Sequence, residues 1–137
     1  MENFRVMILE DDHNRINQFK SILELQVQDV SYYLTAESFI EQLENETKID
    51  LMLLDHDLGG KVYVDTKDKN TGSEVVRYIV MNKDQEKYKS TKIIVHSFNG
   101  PAARFMVDIL RQANFQVAYA PGVWQKDVFR KFIELEA

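Results

Sequence analysis

The chain alternates five times between a short apolar stretch and a longer segment with helical periodicity. The apolar stretches are five or six residues long and rich in β-favouring residues, which is typical of strands in a parallel sheet that is covered on both faces. This alternation predicts an α/β fold, a doubly wound five-stranded parallel sheet with helices on both faces. The predicted strands are Phe4–Leu9, Val30–Leu34, Ile49–Leu54, Lys92–His96 and Phe115–Tyr119.

Apolar residues recur every three or four positions between these strands, which predicts helices. The predicted helices run from Asp12 to Leu25, from Thr35 to Leu43, from Gly72 to Val80, from Pro101 to Leu110 and from Val123 to Leu135. Asn114 is placed to end the fourth helix in a left-handed turn. The polar stretch Lys61–Thr71 shows neither period and predicts a loop, longer than is usual between a strand and a helix.

The composition excludes several classes of protein. With 137 residues, 45% hydrophobic and 28% charged, residues 1–137 are expected to form one globular domain. No apolar run approaches the ~20 residues that span a bilayer, so no membrane association is expected. The absence of cysteine excludes disulfides, thiolate zinc sites and cysteine nucleophiles, and is consistent with a cytoplasmic location. A net charge of −5 argues against a nucleic-acid partner.

Polar side chains cluster where the predicted strands end. They are Glu10, Asp11 and Asp12 after the first strand, Asp55, His56 and Asp57 after the third, and His96, Ser97 and Asn99 at the end of the fourth. Ligands of open α/β sheets bind at the carboxyl ends of the strands, so these residues are expected to share one site. Clustered carboxylates prefer hard divalent cations, Mg²⁺ or Mn²⁺, and such a site handles phosphate.

Several of these residues also have a purely structural interpretation. Asp12 and Asn99 stand where N-caps of the following helices are expected. His56 and His96 continue buried strands and could be core histidines. The loop lysines Lys61, Lys67 and Lys69 are what a solvated loop would carry.

The order of these motifs resembles the response-regulator receiver domain (CheY-like) of two-component signalling, over essentially the whole chain. The resemblance implies the flavodoxin-like strand order 2-1-3-4-5 and a phosphoryl group accepted by Asp55 from a histidine kinase or another phosphodonor. It also implies a Mg²⁺ (or Mn²⁺) ion held by Glu10, Asp11, Asp55 and the backbone carbonyl of Asp57. Ser97 matches the hydroxyl residue that contacts the phosphoryl group.

The chain departs from the receiver pattern at three places. Ala120 stands where receivers carry a lysine before the proline that matches Pro121, Gly59-Gly60 replaces a Pro-Gly pair, and Lys61–Thr71 replaces a short turn. Without that lysine, a replacement positive charge must come from elsewhere, and His96 or a lysine of the 61–69 loop could supply it.

Two short motifs resemble a variant group, the cyclic-phosphate-processing receiver domains. They are Asp55-His56-Asp57-Leu58-Gly59 and His96-Ser97-Phe98-Asn99. This resemblance implies a cyclic phosphate ligand near Ser97 and Asn99. His56 or His96 could then act as general acid or base, because imidazole titrates near neutral pH.

Three functions remain open from the sequence. The first is a stand-alone signalling receiver phosphorylated at Asp55, whose output would be a protein contact on the helix 4, strand 5 and helix 5 face, residues 102–132. The second is a metal-dependent phosphoesterase acting on cyclic nucleotide phosphates. The third is a pseudo-receiver, an interaction module without phosphate chemistry.

Overall fold

A computed structural model describes residues 4–23 and 27–130. Its centre is a five-stranded parallel sheet in the order β2-β1-β3-β4-β5. The strands are β1 (Arg5–Leu9), β2 (Asp29–Tyr33), β3 (Leu51–Leu54), β4 (Lys92–Val95) and β5 (Gln116–Tyr119). The predicted α/β class and strand order are confirmed. The inner strand β1 is buried along its whole length, which explains its apolar run Val6–Leu9.

Helices cover both faces of the sheet. They are α1 (His13–Leu23), α2 (Ala36–Leu43), α3 (Gly72–Met81) and α4 (Gly100–Gln112), and residues 126–130 are also helical. Met7, Leu9 and Met52 point to the face covered by α2, α3 and α4. Val6 and Ile8 point to the opposite face, where α1 and the 126–130 segment pack. This side-to-side alternation is the two-residue period of a strand.

Several element boundaries differ from the predicted ones. β3 begins at Leu51, two residues later than predicted, because the Asp50 carboxylate accepts the N–H of Arg5 and replaces a ladder bond there. β4 ends at Val95, although the N–H of His96 still bonds to the Leu54 carbonyl. A 3-10 turn at Glu86–Tyr88 was not predicted.

The last helical segment starts at residue 126 and not at Val123. Gly122, with φ of 114°, opens a turn there that buries Val123. The predicted helical positions Leu25, Phe132 and Ile133 lie outside the described residues.

Helix starts and ends follow the capping residues in the sequence. The side chains of Thr35, Thr71 and Asn99 accept N–H bonds at the starts of α2, α3 and α4. Asn114 takes the predicted left-handed backbone after α4, with φ of 69°. No helix among the described residues is long and apolar enough to cross a membrane.

Candidate functional site

A cavity of about 340 Å³ opens at the carboxyl ends of β1, β3 and β4. This is where the strand order places the termini of three neighbouring strands side by side. Its lining combines carboxylates, cations, polar groups and apolar side chains. The lining residues are Asp11, Asp12, Arg15, Asp55, Asp57, Gly60, Lys61, Val62, Tyr63, Ser97, Phe98 and Asn99.

Asp55 lies at the floor of this cavity, directly after β3. Its side chain is 7% exposed, and its Oδ1 accepts the N–H of His56 at 2.9 Å. Its Oδ2 has no hydrogen-bond partner in the described part of the chain. Burial, with the negative charge of Glu10, raises the pKa of Asp55 to about 8. A buried carboxylate oxygen without a partner is the expected feature of a ligand site.

Glu10 is fully buried below the cavity and does not line it. Its Oε2 accepts the N–H groups of Asp11 and Asp12, while its Oε1 lies 3.1 Å from His96 Nε2 and 3.0 Å from Arg15 Nε. Burial alone would raise the pKa of Glu10, but the bond and charge of His96 and the Arg15 charge hold it below its usual value. Glu10 is therefore an ionised anchor for the groups around the site.

The two acids after Glu10 have different roles. Asp11 lines the cavity, and its Oδ2 accepts the N–H of Gly60 at 2.8 Å. Asp12 also borders the cavity, but its Oδ1 accepts the N–H groups of Asn14 and Arg15 and so caps α1. The structural interpretation of Asp12 as an N-cap is confirmed.

Arg15 is a charged residue of the cavity that the sequence did not predict. Its side chain, 27% exposed, lines the cavity with a guanidinium nitrogen 3.9 Å from Asp55 Oδ2, and it stacks 5.4 Å from the Trp124 ring centroid. The sequence did contain one indication that Arg15 lies near the site. Arg15 is in the first turn of the helix that follows the acid cluster, and a residue in that turn stays close to the cluster. The lysines differ, since Lys61 lines the cavity whereas Lys67 and Lys69 do not.

His56 and Asp57 form a hydrogen-bonded pair. The His56 ring is fully buried and does not line the cavity, and its Nδ1 lies 2.8 Å from Asp57 Oδ1. Asp57 does line the cavity and also accepts bonds from Asn99 Nδ2 and from the N–H groups of Tyr63 and Val64. Burial acts to raise the pKa of Asp57, but the hydrogen bonds lower this pKa by more than burial raises it. The pKa therefore lies below its usual value, and Asp57 stays ionised.

The three residues after β4 separate in the same way. His96 is buried against Phe19, with ring centroids 5.5 Å apart, and it faces Glu10 rather than the cavity. Ser97 and Asn99 line the cavity, and Ser97 Oγ accepts the N–H of Asn99. Of the predicted site residues, the structure therefore brings Asp11, Asp55, Asp57, Ser97 and Asn99 together at the cavity, whereas Glu10, His56 and His96 lie behind it.

The lining fits a hard divalent cation. Asp11, Asp55 and Asp57 line the cavity, and Asp55 Oδ2, which has no hydrogen-bond partner among the described residues, is available as a ligand. Among the described residues, the group whose ligand atoms lie close enough to share one ion is Glu10, Asp55 and His96, with these atoms within 4.8 Å of one another. Oxygen donors predominate in this group, which favours Mg²⁺ or Mn²⁺ over thiophilic metals.

Comparison with known families gives a match over most of the chain. The family model described as "Cyclic-phosphate processing Receiver domain" matches residues 6–112. No curated protein shows a significant match.

Solved structures with a similar fold are receiver domains. The signal receiver domain of a LuxO repressor homologue from Vibrio parahaemolyticus is 18% identical, with a TM-score of 0.67 over 96% of this chain and 87% of that one. A CheY-like receiver domain from Methylobacillus flagellatus is 13% identical, with a TM-score of 0.67 over 98% of both chains. The response regulator TrrA from Thermotoga maritima, solved in complex with Mg²⁺-BeF, is 18% identical, with a TM-score of 0.66 over 98% of this chain and 99% of that one. At these identities the likeness establishes the fold.

Proposed function

Because this chain belongs to the cyclic-phosphate processing receiver domain family, we propose that it binds a cyclic phosphate ester in the cavity and processes it at Asp55 with a divalent cation. The observation that carries the proposal is the buried, unpartnered Oδ2 of Asp55 at the floor of a cavity that also holds Asp11 and Arg15. Attraction for a cation and attraction for an anion coexist there, which is what a metal-assisted phosphate site requires.

The cation would be held by Asp11, Asp55 and Asp57, three of the four acids that line the cavity, since the fourth, Asp12, caps α1. A bound Mg²⁺ or Mn²⁺ ion would supply positive charge to the phosphate oxygens. Two receiver domains of this fold were solved with such ions, TrrA with Mg²⁺-BeF and Rcp1 in its Mn²⁺-bound form, which supports the assignment.

Arg15 takes the role that a strand-5 lysine has in ordinary receivers. Position 120 is an alanine and cannot contribute charge, whereas the Arg15 guanidinium lies 3.9 Å from Asp55 Oδ2. A guanidinium binds phosphate oxygens through two parallel N–H bonds. Ser97 Oγ and Asn99 border the same space and would orient the phosphate.

The nucleophile in this proposal is Asp55 Oδ2. The ionised Asp55 carboxylate forms an O–P bond to the cyclic phosphate, and the bond from phosphorus to one ring oxygen breaks, so that this oxygen leaves with the electron pair and takes a proton from water. The resulting hydroxide then attacks the acyl phosphate, which releases the linear monophosphate and restores the Asp55 carboxylate. His56 and His96 do not reach the cavity, so we assign them as positioning residues that hold Asp57 and Glu10.

The test is turnover of nucleoside cyclic monophosphates, in both the 2′,3′ and 3′,5′ forms, followed by ³¹P NMR. Wild-type protein with Mg²⁺ should produce a linear monophosphate, and Asp55→Asn, or wild type in EDTA, should not. Equal turnover by wild type and Asp55→Asn would remove Asp55 from the reaction.

A second function, phosphoacceptor signalling, is favoured by the position of Asp55 at the end of β3 in a receiver fold. In that case a histidine kinase or another phosphodonor would phosphorylate Asp55. The output would be a protein contact on the face of α4, β5 and the 126–130 segment. Incubation with acetyl phosphate and Mg²⁺ should then add one stable phosphoryl group to wild type, detected by intact-mass spectrometry, and none to Asp55→Asn. A protein that fails both tests would be a pseudo-receiver.

A further inference from the structure

Exposed hydrophobic side chains concentrate at the mouth of the cavity. Among the described residues, the large hydrophobic side chains that are exposed are Leu34, Val62, Tyr63, Met81, Phe98 and Tyr119. Three of these residues line the cavity described above. Their exposed fractions are 77% for Val62, 79% for Tyr63 and 59% for Phe98. Apolar side chains grouped around a polar floor indicate a site for a ligand with both a charged and an apolar part.

Tyr63 is held at the mouth by its backbone. Its φ of 53° is a left-handed conformation that an aromatic residue rarely adopts. The N–H groups of Tyr63 and Val64 both bond to the Asp57 carboxylate, at 2.6 and 3.1 Å. Arg77 holds the same loop further along, through the Thr66 carbonyl at 2.7 Å. The loop therefore positions the exposed ring relative to an acid of the phosphate site.

Phe98 is held at the mouth by its aromatic neighbour. Its ring packs edge-on against the Trp124 ring, with centroids 5.1 Å apart. The Arg15 guanidinium lies over the same Trp124 ring, 5.4 Å from its centroid. Phe98 also stands between Ser97 and Asn99, which both line the cavity. An aromatic surface is thus joined directly to the groups that would hold the phosphate.

We propose that Tyr63 and Phe98 form a base-binding subsite, so that the ligand of this cavity is a nucleoside phosphate. The inference rests on the phosphate-handling function proposed above. A flat base has a π-face that stacks on aromatic side chains, whereas inorganic phosphate or a small phosphodonor would leave both rings in water. The cavity of about 340 Å³ lies within the usual range for small-molecule sites.

The test compares two ligands that differ only by the base, adenosine 5′-monophosphate and ribose 5-phosphate, each with Mg²⁺. Binding is measured by calorimetry and by the fluorescence of Trp124, the single tryptophan. Adenosine 5′-monophosphate should bind at least about tenfold more tightly. Tyr63→Ala and Phe98→Ala should each weaken it by roughly 5- to 100-fold and leave ribose 5-phosphate unchanged.

Control variants separate stacking from folding. Tyr63→Phe keeps the ring and should bind like wild type, and Tyr63→Gly suits the left-handed backbone and should bind like Tyr63→Ala. Met81→Ala removes an exposed side chain that is not among the cavity residues and should change nothing.

Two results would overturn the inference while leaving the phosphate site intact. They are equal affinity of wild type for the two ligands, or an equal loss of both ligands in Tyr63→Ala and Phe98→Ala. Failure of wild type to bind either ligand in Mg²⁺, with no turnover of the cyclic monophosphates, would instead overturn the proposed phosphate function, and the base subsite with it.

Discussion

At the residue scale, the surroundings of Asp55 determine the behaviour of the site. Burial and the charge of Glu10 disfavour the ionised form of Asp55, and only the N–H of His56 and the more distant Arg15 favour it. Ionisation of Asp55 therefore destabilises the folded protein until a cation or another positive group binds.

The first prediction concerns the pH dependence of stability without metal. The pKa of Asp55 is about 8 in the folded state and close to ~3.9 in the unfolded state, so the folded state holds an extra proton between these values. Stability should therefore fall as pH rises from 5 to 8. Asp55→Asn should remove this slope and be more stable than wild type at pH 8, by about 1–3 kcal/mol. Urea unfolding in EDTA at both pH values measures the difference.

Glu10 adds little to the slope between pH 5 and 8. Its pKa is lowered, so its contribution to stability is lost only as pH falls below the ordinary carboxyl range. A wild-type slope that persists unchanged in Asp55→Asn would contradict the assignment to Asp55.

The second prediction concerns Arg15 as the anion-binding residue. Arg15→Ala should weaken binding of adenosine 5′-monophosphate roughly 10- to 100-fold, the effect of losing a charge-assisted hydrogen bond. Arg15→Lys should bind more tightly than Arg15→Ala but more weakly than wild type. Lysine keeps the positive charge but cannot make the two parallel hydrogen bonds of a guanidinium. Calorimetry with Mg²⁺ measures both. The control is Lys67→Ala, an exposed cation outside the cavity, and an equal loss in that variant would indicate only a general charge effect.

At the scale of elements, the start of α3 is packed directly on the end of β3. The N–H of Gly72 donates to the His56 carbonyl at 3.0 Å, and a Cβ on Gly72 would lie 2.0 Å from the Asp55 carbonyl oxygen and 2.7 Å from Met106 Cε. Helix α3 is thus placed by backbone contact with the residue at the centre of the site. Only glycine permits this approach.

The third prediction follows from that contact. Gly72→Ala should destabilise the protein by about 3 kcal/mol, because the obstructing atoms belong to the backbone and to a packed core side chain. Gly100→Ala is the matched control, since Gly100 is the first residue of α4 and a Cβ there meets nothing within 4 Å. We expect that variant to lie within about 0.5 kcal/mol of wild type. Similar losses of urea-unfolding free energy in the two variants would refute the close-packing argument.

The long loop between β3 and α3 is more ordered than its composition suggests. Lys61–Thr71 contains no helix or strand, as predicted, but an isolated bridge pairs Asp57 with Thr71 and closes the loop at its base. Further along the loop, Arg77 donates to the Thr66 carbonyl and Asn99 donates to the Val64 carbonyl. These partners come from other elements, so the polar sequence of the loop could not reveal them.

At the scale of the whole molecule, the fold places like charges together at one cavity. The chain carries a net charge of −5, and four of its acids, Asp11, Asp12, Asp55 and Asp57, line that cavity. A ligand that binds only the folded state raises stability by mass action. Cation binding should therefore be measurable as stability of the entire domain.

The fourth prediction is that Mg²⁺ or Mn²⁺ raises the thermal midpoint of wild type at pH 7.5. At one hundred times the dissociation constant the gain should be about 2.7 kcal/mol, which is roughly 5–10 °C for a chain of this length. Asp11→Asn and Asp55→Asn should lose most of the gain. Scanning fluorimetry at constant ionic strength, adjusted with NaCl, measures it. An undiminished rise in both variants would place the cation elsewhere.

The sequence by itself determined the α/β fold class and the end of the sheet at which the polar cavity lies. Strand and helix periods are local properties, and polar residues that interrupt apolar strands show where those strands end. The N-caps at Asp12 and Asn99 and the left-handed turn at Asn114 also follow from local backbone chemistry.

Only the tertiary structure decided which of those polar side chains face the cavity. Glu10 and His96 are 86 positions apart in the sequence. They meet because their strands, β1 and β4, lie on either side of β3, and their hydrogen bond turns both side chains away from the ligand space. Arg15 enters from a helix, and Tyr63 and Phe98 come from two different loops. Such contacts depend on charge partners and packing between distant segments, and the local patterns of a single sequence do not contain them.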